Sequence, residues 1–323
     1  MECMKSNISV VIATHKRPVY LDKALESVFR QTVLPAEIIV SEDGLDPETE
    51  RVVTRYRGRG IPIRYERHEP KLGQLKNRNA ALQLASCEYV AILDDDDEWC
   101  ETYLQKTWEA LEHHPQCGFC FTDHYLIDTQ GNILHEESDR CSQQFGRSAM
   151  KTGVYEDVLS RALKPRPFTP HVTLFRRAVL KRAGFFPEYG GTVPDLALFL
   201  ELGAAGIKAC YIKEKLGRYR IHAGQQTSKR IENSRSRVEC FLRFYNKYRL
   251  EGEDQKVLAS LYRTSVMELA IAYAHQFQRK ESLRTLKEYY QKLGFGLPNL
   301  SRLTVLLTLL AQPAGNGKQR FPT

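Results

Sequence analysis

Two rhythms of apolar residues alternate along the first third of the chain. Residues 8–14 form an unbroken β-rich run, and residues 20–31 place Leu21, Ala24, Leu25, Val28 and Phe29 at helical spacing. The alternation then repeats. Strand-like runs fall at 38–41, 61–66 and 88–93, and helix-like stretches at 47–56, 74–85 and 101–113. Asp46 suits the N-cap of the second helix, with Pro47 in its first turn. A β-α-β-α-β-α-β order predicts a mostly parallel, doubly wound α/β sheet.

Beyond residue 117 the pattern loosens. Residues 119–127 and 132–135 read as a hairpin closed by Thr129-Gln130-Gly131. A strand at 172–175, a helix at 176–183, a Gly- and Pro-rich loop at 184–194, a helix at 195–205 and a strand at 208–212 follow. From Ser234 only helical spacing remains, over about 234–250, 254–278, 281–293 and 299–311. The expected organisation is therefore an α/β domain over 1–228 and an all-helical C-terminal extension over 229–323.

Composition agrees with a globular protein. The 323 residues suggest about two domains. An apolar content of 42% and a charged content of 27%, without low-complexity tracts, argue against disorder. Met1 to Asn7 is polar and runs directly into the first strand, so no signal peptide is expected. Residues 303–311 are the longest uncharged apolar stretch, about half of the roughly 20 residues a spanning helix needs. The eight cysteines form no small-domain framework and read as reduced thiols of a cytoplasmic protein. Cys117 and Cys120 have CxxC spacing, but they lie in an apolar run with no second pair at zinc-site spacing, so they read as strand cysteines.

The charge is uneven. Between residues 213 and 249 eleven Lys or Arg face three Glu, which accounts for the whole net charge of +8. Such a segment suits anionic ligands or acidic lipid headgroups, or is simply a solvated helix face. It lacks the interleaved aromatics of a recognisable nucleic-acid module, and nucleic acid is not an expected partner.

The candidate chemistry is concentrated at one place. The apolar run Tyr89 to Leu93 ends in Asp94-Asp95-Asp96-Asp97-Glu98-Trp99. Adjacent carboxylates repel, and a hard divalent cation with oxygen ligands relieves that repulsion. On an extended strand Asp94 and Asp96 would share a face. Ligands of open α/β sheets bind outside the carboxyl ends of the strands, which puts Thr14, Asp43 and Asp94 to Asp97 on one rim. A carboxylate at Asp43 can accept from a base N–H or a ribose hydroxyl; Thr14 can place its hydroxyl or a backbone group there, or cap a turn.

Taken together the motifs resemble the family 2 glycosyltransferases, which have the GT-A fold, a Rossmann-like α/β architecture. The resemblance covers about residues 7–228. Ile8-Ser9-Val10-Val11-Ile12-Ala13-Thr14 with Arg17-Pro18 resembles the opening strand, and Ser27-Val28 with Gln31-Thr32 and Pro35 the first helix and turn. Ile38-Ile39-Val40-Ser41-Glu42-Asp43-Gly44 resembles the nucleotide-binding strand end, Asn77-Arg78-Asn79 the Ala-Arg-Asn helix, and residues 88–99 the segment with the DxD motif. Tyr219-Arg220-Ile221-His222 resembles the closing Tyr-Arg-x-His.

The resemblance implies metal-dependent, inverting transfer of a sugar from a nucleotide diphosphate sugar, a UDP-sugar first, to a hydroxyl of a glycan or lipid-linked acceptor. It implies Mn²⁺ or Mg²⁺ on Asp96 and His222. Thr14, Asp43, Arg78, Asp94, Asp95 and Arg220 would bind the donor, and Asp195 would be the catalytic base. The chain departs from the pattern at Leu45, where the family usually has Ser, and at Pro194, where it usually has Glu. Those departures keep a catalytically impaired nucleotide-sugar-binding or scaffold protein as the alternative. A nucleotidyltransferase would want a glycine-rich loop after the first strand, and Thr14-His15-Lys16-Arg17-Pro18 has none. The helical tail is expected to pack on the catalytic domain, to dimerise, or to make peripheral contact with the inner face of a membrane.

Overall fold

The computed structural model describes residues 6–222 and 230–289, together with 292, 306 and 308. Two compact units divide the chain. One comprises Met1–Glu188 with Pro194–Gln225, the other Tyr189–Val193 with Gln226–Thr323.

The first unit opens with β1 (Ile8–Thr14), α1 (Pro18–Phe29), β2 (Glu37–Glu42), α2 (Pro47–Tyr56), β3 (Ile63–Arg67), α3 (Gln74–Leu84) and β4 (Tyr89–Asp94). β1 pairs in parallel with both β2 and β4, and β2 in parallel with β3. Leu21, Ala24, Leu25 and Val28 form the buried stripe of α1, as their spacing requires. Asp46 caps α2 by accepting from Glu48 N at 3.1 Å.

The chain continues through β5 (Glu98–Trp99), α4 (Tyr103–His113), β6 (Cys117–Ile127), β7 (Ile133–Leu134), α5 (His135–Gln144), β8 (Gly153–Tyr155), α6 (Val158–Leu163), β9 (Thr173–Arg176), α7 (Arg177–Ala183), α8 (Pro194–Ala204) and β10 (Lys208–Arg220). The ten-stranded sheet runs β3-β2-β1-β4-β9-β6-β10-β5, with β7 paired to β6 and β8 to β10. β9 is antiparallel to both of its neighbours, β4 and β6, and so breaks the parallel run. β6 and β7 form the expected hairpin.

Several elements were not visible in the apolar pattern. α5 buries only Ser138 and Ser142, so it carries no apolar stripe. β5 and β8 are too short for a period to register. The largest difference is β10, which extends to Arg220 instead of stopping at 212. It does so through register shifts at Ile212/Lys215 and Lys215/Gly217, which break the alternation that marks a strand. The first part of the basic segment is therefore sheet, and its cations have local partners. Lys215 pairs with Asp139 at 2.7 Å, and Lys213 Nζ donates to Ser148 O at 2.8 Å.

One charged network lies inside this unit. Arg147 is fully buried; its Nε donates to Asp123 Oδ1 at 2.6 Å and its Nη1 to Pro167 O at 3.2 Å. The other oxygen of Asp123 accepts from Ser142 Oγ.

The second unit contains α9 (Arg230–Lys247), α10 (Gly252–His275) and α11 (Arg279–Tyr289), with α10 packed on both others. Val238, Phe241 and Phe244 of α9 and Leu258, Tyr262, Val266 and Leu269 of α10 are buried. Arg237 pairs with Glu268 at 2.7 Å. The helix expected over 299–311 lies outside the described residues except at 306 and 308, both helical.

Removing one partner of a buried ion pair leaves an uncompensated charge, whereas an exposed pair contributes little. Asp123→Ala is expected to cost about 3–5 kcal/mol in urea unfolding. Asp139→Ala, whose side chain is 67% exposed, should leave the urea midpoint nearly unchanged.

Candidate active site

β1, β2 and β4 are adjacent and parallel, so their carboxyl ends meet on one rim. Thr14 ends β1, Glu42 ends β2 with Asp43 following it, and Asp94 ends β4. Asp43 N donates to Thr14 O at 2.9 Å. Thr14 Oγ1 donates to Asp95 Oδ2 at 2.7 Å, linking the first strand to the acidic tip.

The tip turns immediately after Asp94, with Asp97 N donating to Asp94 O at 3.1 Å. Asp94 and Asp96 therefore do not share a face as an extended strand would have them. Asp94 accepts from Arg78 Nη2. Asp96 Oδ2 accepts from Arg17 Nη1 at 2.6 Å and faces His222 Nε2 at 3.0 Å. Asp95 Oδ1 takes Arg17 Nη1 at 3.2 Å. Asp97 is almost fully buried, and its Oδ1 accepts from Arg220 N at 2.9 Å, fastening β10 to the tip.

The charge on this tip is compensated by the chain itself. Arg17 and Arg78 supply guanidinium groups at the rim, and burial with neighbouring carboxylates raises the Asp95 and Asp97 acids above their usual range. These guanidinium groups relieve part of the repulsion that a bound cation would also relieve.

Arg220 differs from its expected placement. Its guanidinium is fully buried, donating from Nε to Asp96 O at 2.9 Å, from Nη1 to Asp128 O at 2.9 Å and from Nη2 to Glu98. It lies over the Tyr20 ring at 5.2 Å. The residue holds the tip from behind instead of facing the rim.

Helix α3 explains the Asn77-Arg78-Asn79 motif. The helix is barely amphipathic, yet it buries Asn77 and Arg78. Asn77 exchanges bonds with the end of β2, accepting from Ser41 Oγ at 2.7 Å and donating to Ser41 O at 2.9 Å. Arg78 joins Asp94 to Asp195, with Nη1 at 3.5 Å from Asp195 Oδ1. Asn79 clasps the backbone of Phe186, with bonds of 2.8 and 3.1 Å, and the Phe186 ring lies 5.1 Å from the Arg78 guanidinium. The helix is anchored at its start by Asp43, whose carboxylate accepts from Leu72 N at 2.6 Å and Gly73 N at 3.1 Å. Gly73 has φ +84°, a conformation that favours glycine.

Asp195 lies in the first turn of α8, with its side chain 49% exposed. Desolvation by the surrounding protein pushes its acid up to about 6, against the lowering effect of Arg78.

A second set of donors lies behind the rim. Asp94, Asp97 and His171 bring ligand atoms within 4.8 Å of one another. Asp97 Oδ2 and His171 Nε2 have no hydrogen-bond partner. Burial lowers His171 to about 4, which keeps the imidazole neutral. Sequence reasoning placed Asp97 on the rim without a role of its own, missed His171, and assigned Arg17 no role. Arg17 and Asp97 did stand inside quoted motifs; nothing in the sequence singled out His171.

The rim thus brings together Thr14, Asp43, Arg78, Asp94, Asp95, Asp96, Asp195 and His222. Residues 9–184 match the family model described as glycosyl transferase family 2. The chain belongs to that family. This family 2 chain is similar to the GalNAc(5)-diNAcBac-PP-undecaprenol beta-1,3-glucosyltransferase of Campylobacter jejuni, with 30% identity over 66% of the chain and 64% of that protein. Its fold is similar to S. aureus TarS 1-349 in complex with UDP-GlcNAc, at TM-score 0.63 and 15% identity over 90% of this chain and 93% of that one. It is also similar to mannosyltransferase PcManGT from Pyrobaculum calidifontis in complex with GDP-Man and Mn²⁺, at TM-score 0.59 and 15% identity over 95% and 81%. The α/β unit therefore has the GT-A fold. The chain spans 47%, 64% and 51% of the length of three curated relatives it matches.

Within the family 2 site, the Asn79–Phe186 clasp is separable from substrate contact. Asn79→Ala leaves the Phe186 backbone groups without their side-chain partner, and about 1–3 kcal/mol of stability should be lost in urea unfolding.

Proposed function

We propose that this chain transfers a sugar from a nucleotide diphosphate sugar to an acceptor hydroxyl, with inversion at the anomeric carbon. The observation that carries the reading is the Arg78 bridge, which ties the base candidate Asp195 to the acidic tip at the nucleotide rim. The nucleotide-sugar complexes of TarS and PcManGT support the donor class, and UDP is the first nucleotide to test.

The outer donors fit a divalent cation. Asp96 Oδ2 and His222 Nε2 lie 3.0 Å apart, which matches adjacent ligands of an octahedral ion with bonds of about 2.1 Å. Asp97 and His171 are more deeply buried than this pair, so they offer less room for the open positions that phosphate oxygens need. Asp96 and His222 would hold Mn²⁺ or Mg²⁺, which supplies Lewis-acid stabilisation of the departing diphosphate when bound. The Mn²⁺ of PcManGT supports that choice of ion.

The chain's own residues do the rest. Asp43 fixes the Leu72–Gly73 lip beside the base pocket, and Thr14, Asp94 and Asp95 line the rim toward the ribose. Arg78 offers fixed donors toward the diphosphate and keeps Asp195 oriented. Asp195 accepts the acceptor's hydroxyl proton as its oxygen bonds to the anomeric carbon. The bond from that carbon to the diphosphate breaks on the opposite face, and its electron pair leaves with the nucleotide. Arg220 acts as a positioning residue beneath Asp96.

Pro194 is the first residue of α8, where a proline is well tolerated. A structural reason therefore accounts for the departure from Glu without invoking loss of catalysis. The acceptor is a glycan or a lipid-linked glycan, as the undecaprenol-linked substrate in the name of the Campylobacter relative suggests. Among the described residues no helix is long and apolar enough to cross a membrane, so attachment would be peripheral. Flotation of the full chain with anionic vesicles tests that attachment.

Asp195→Asn is expected to lower turnover by about 10²–10⁴-fold while donor binding persists. Normal turnover in that variant would remove Asp195 from the mechanism. The active base is the ionised carboxylate, so kcat/KM should fall as pH drops through about 6. Because Arg78 lowers the Asp195 pKa, Arg78→Gln should move this limb to higher pH as well as weaken donor binding.

A further inference from the structure

We propose that Arg17 is an internal counter-ion that occupies the cation-facing side of Asp96 and must be displaced when a divalent ion binds. The inference rests on the metal-dependent reading above and adds a residue to it. Arg17 Nη1 lies 2.6 Å from Asp96 Oδ2, the same oxygen that faces His222 Nε2 at 3.0 Å. It also reaches Asp95 Oδ1 at 3.2 Å. A guanidinium and a divalent cation at one carboxylate oxygen would be like charges a few ångströms apart, so they compete for it.

The backbone aims this side chain. Lys16 has a left-handed φ of 52°, which a non-glycine residue adopts rarely, and Arg17, kept out of the helical region by the following Pro18, has φ −130° and ψ 51°. Arg17 also provides the carbonyl that starts α1, accepting from Tyr20 N and Leu21 N. Its side chain is 32% exposed, against 8% for Arg78, so it has room to swing away from the tip. Arg220, wholly buried and bonded to backbone carbonyls, has no such freedom. The tip is therefore neutralised by a removable cation at Asp95 and Asp96 and by fixed ones elsewhere. Ion binding without nucleotide is weakened, because the ion must first expel Arg17.

The test measures Mn²⁺ affinity of the full-length, nucleotide-free protein by electron paramagnetic resonance, in wild type, Arg17→Gln and Arg17→Lys. Loss of the positive charge should tighten Mn²⁺ binding by about tenfold in Arg17→Gln. Arg17→Lys keeps the charge and should stay within about twofold of wild type. An Arg17→Gln affinity equal to or weaker than wild type overturns the proposal while leaving the metal site in place. Equal tightening in both variants overturns it too, since charge would then not be the cause. No Mn²⁺ binding to wild type, even with UDP present, removes both the metal-dependent reading and this inference. Should Arg17→Gln fail to fold, the wild type decides: Mg²⁺ titration should release the Arg17 guanidinium, seen as faster water exchange of its side-chain NMR signal. An unchanged signal on ion binding overturns the proposal.

Discussion

Repulsion among the carboxylates at the end of β4 is the constraint around which the catalytic unit is organised. Four aspartates follow one another where the strand stops, and each is led to its own set of partners, with Arg17 shared by the middle two. Asp94 meets Arg78, Asp95 meets Thr14 and Arg17, Asp96 meets Arg17 and His222, and Asp97 receives the backbone of Arg220. These partners come from β1, the start of α1, α3 and the end of β10. Sequence-distant segments are thus drawn together by one electrostatic problem. The tight turn after Asp94 makes this possible, because it sends successive side chains in different directions.

Arg78 carries that organisation outward to the chemistry. It is backed by the Phe186 ring, bridges Asp94 and Asp195, and belongs to a helix pinned at one end by Asp43 and along its buried side by Ser41. Asp195 therefore does not depend on its own helix alone for orientation. The desolvation that raises its acid and the guanidinium that lowers it act in opposition, leaving it titratable near neutrality.

The parallel core was legible because β1 to β4 and their helices are long enough to display a period. The strand-end rule then places Thr14, Asp43 and the aspartates on a common rim from the sequence alone. Arg78, Asp195 and His222 could be located only through motif resemblance, since a single Arg, Asp or His has no signature of its own. What escaped was structure held by polar contacts. α5 buries serines, β10 passes through bulges, and β9 enters antiparallel between β4 and β6, two strands that both precede it in the sequence. For Arg220 the motif records which residue is present but not what its guanidinium bonds, here Asp96 O, Asp128 O and Glu98. His171, made conspicuous only by burial and an unpaired nitrogen, had no linear context at all.

The three polar residues of α3 have a further consequence for how this segment can evolve. Asn77, Arg78 and Asn79 are consecutive and face three different partners: a strand end, an ion-paired bridge and a loop backbone. Each residue of a helix advances the direction of its side chain by about 100°. One residue inserted or deleted between Gly73 and Asn77 would hand every one of these partners the wrong neighbour at once. Length changes are therefore barred from this short stretch even where point substitutions survive, and the loop ahead of Leu72 is where variation in chain length can be absorbed.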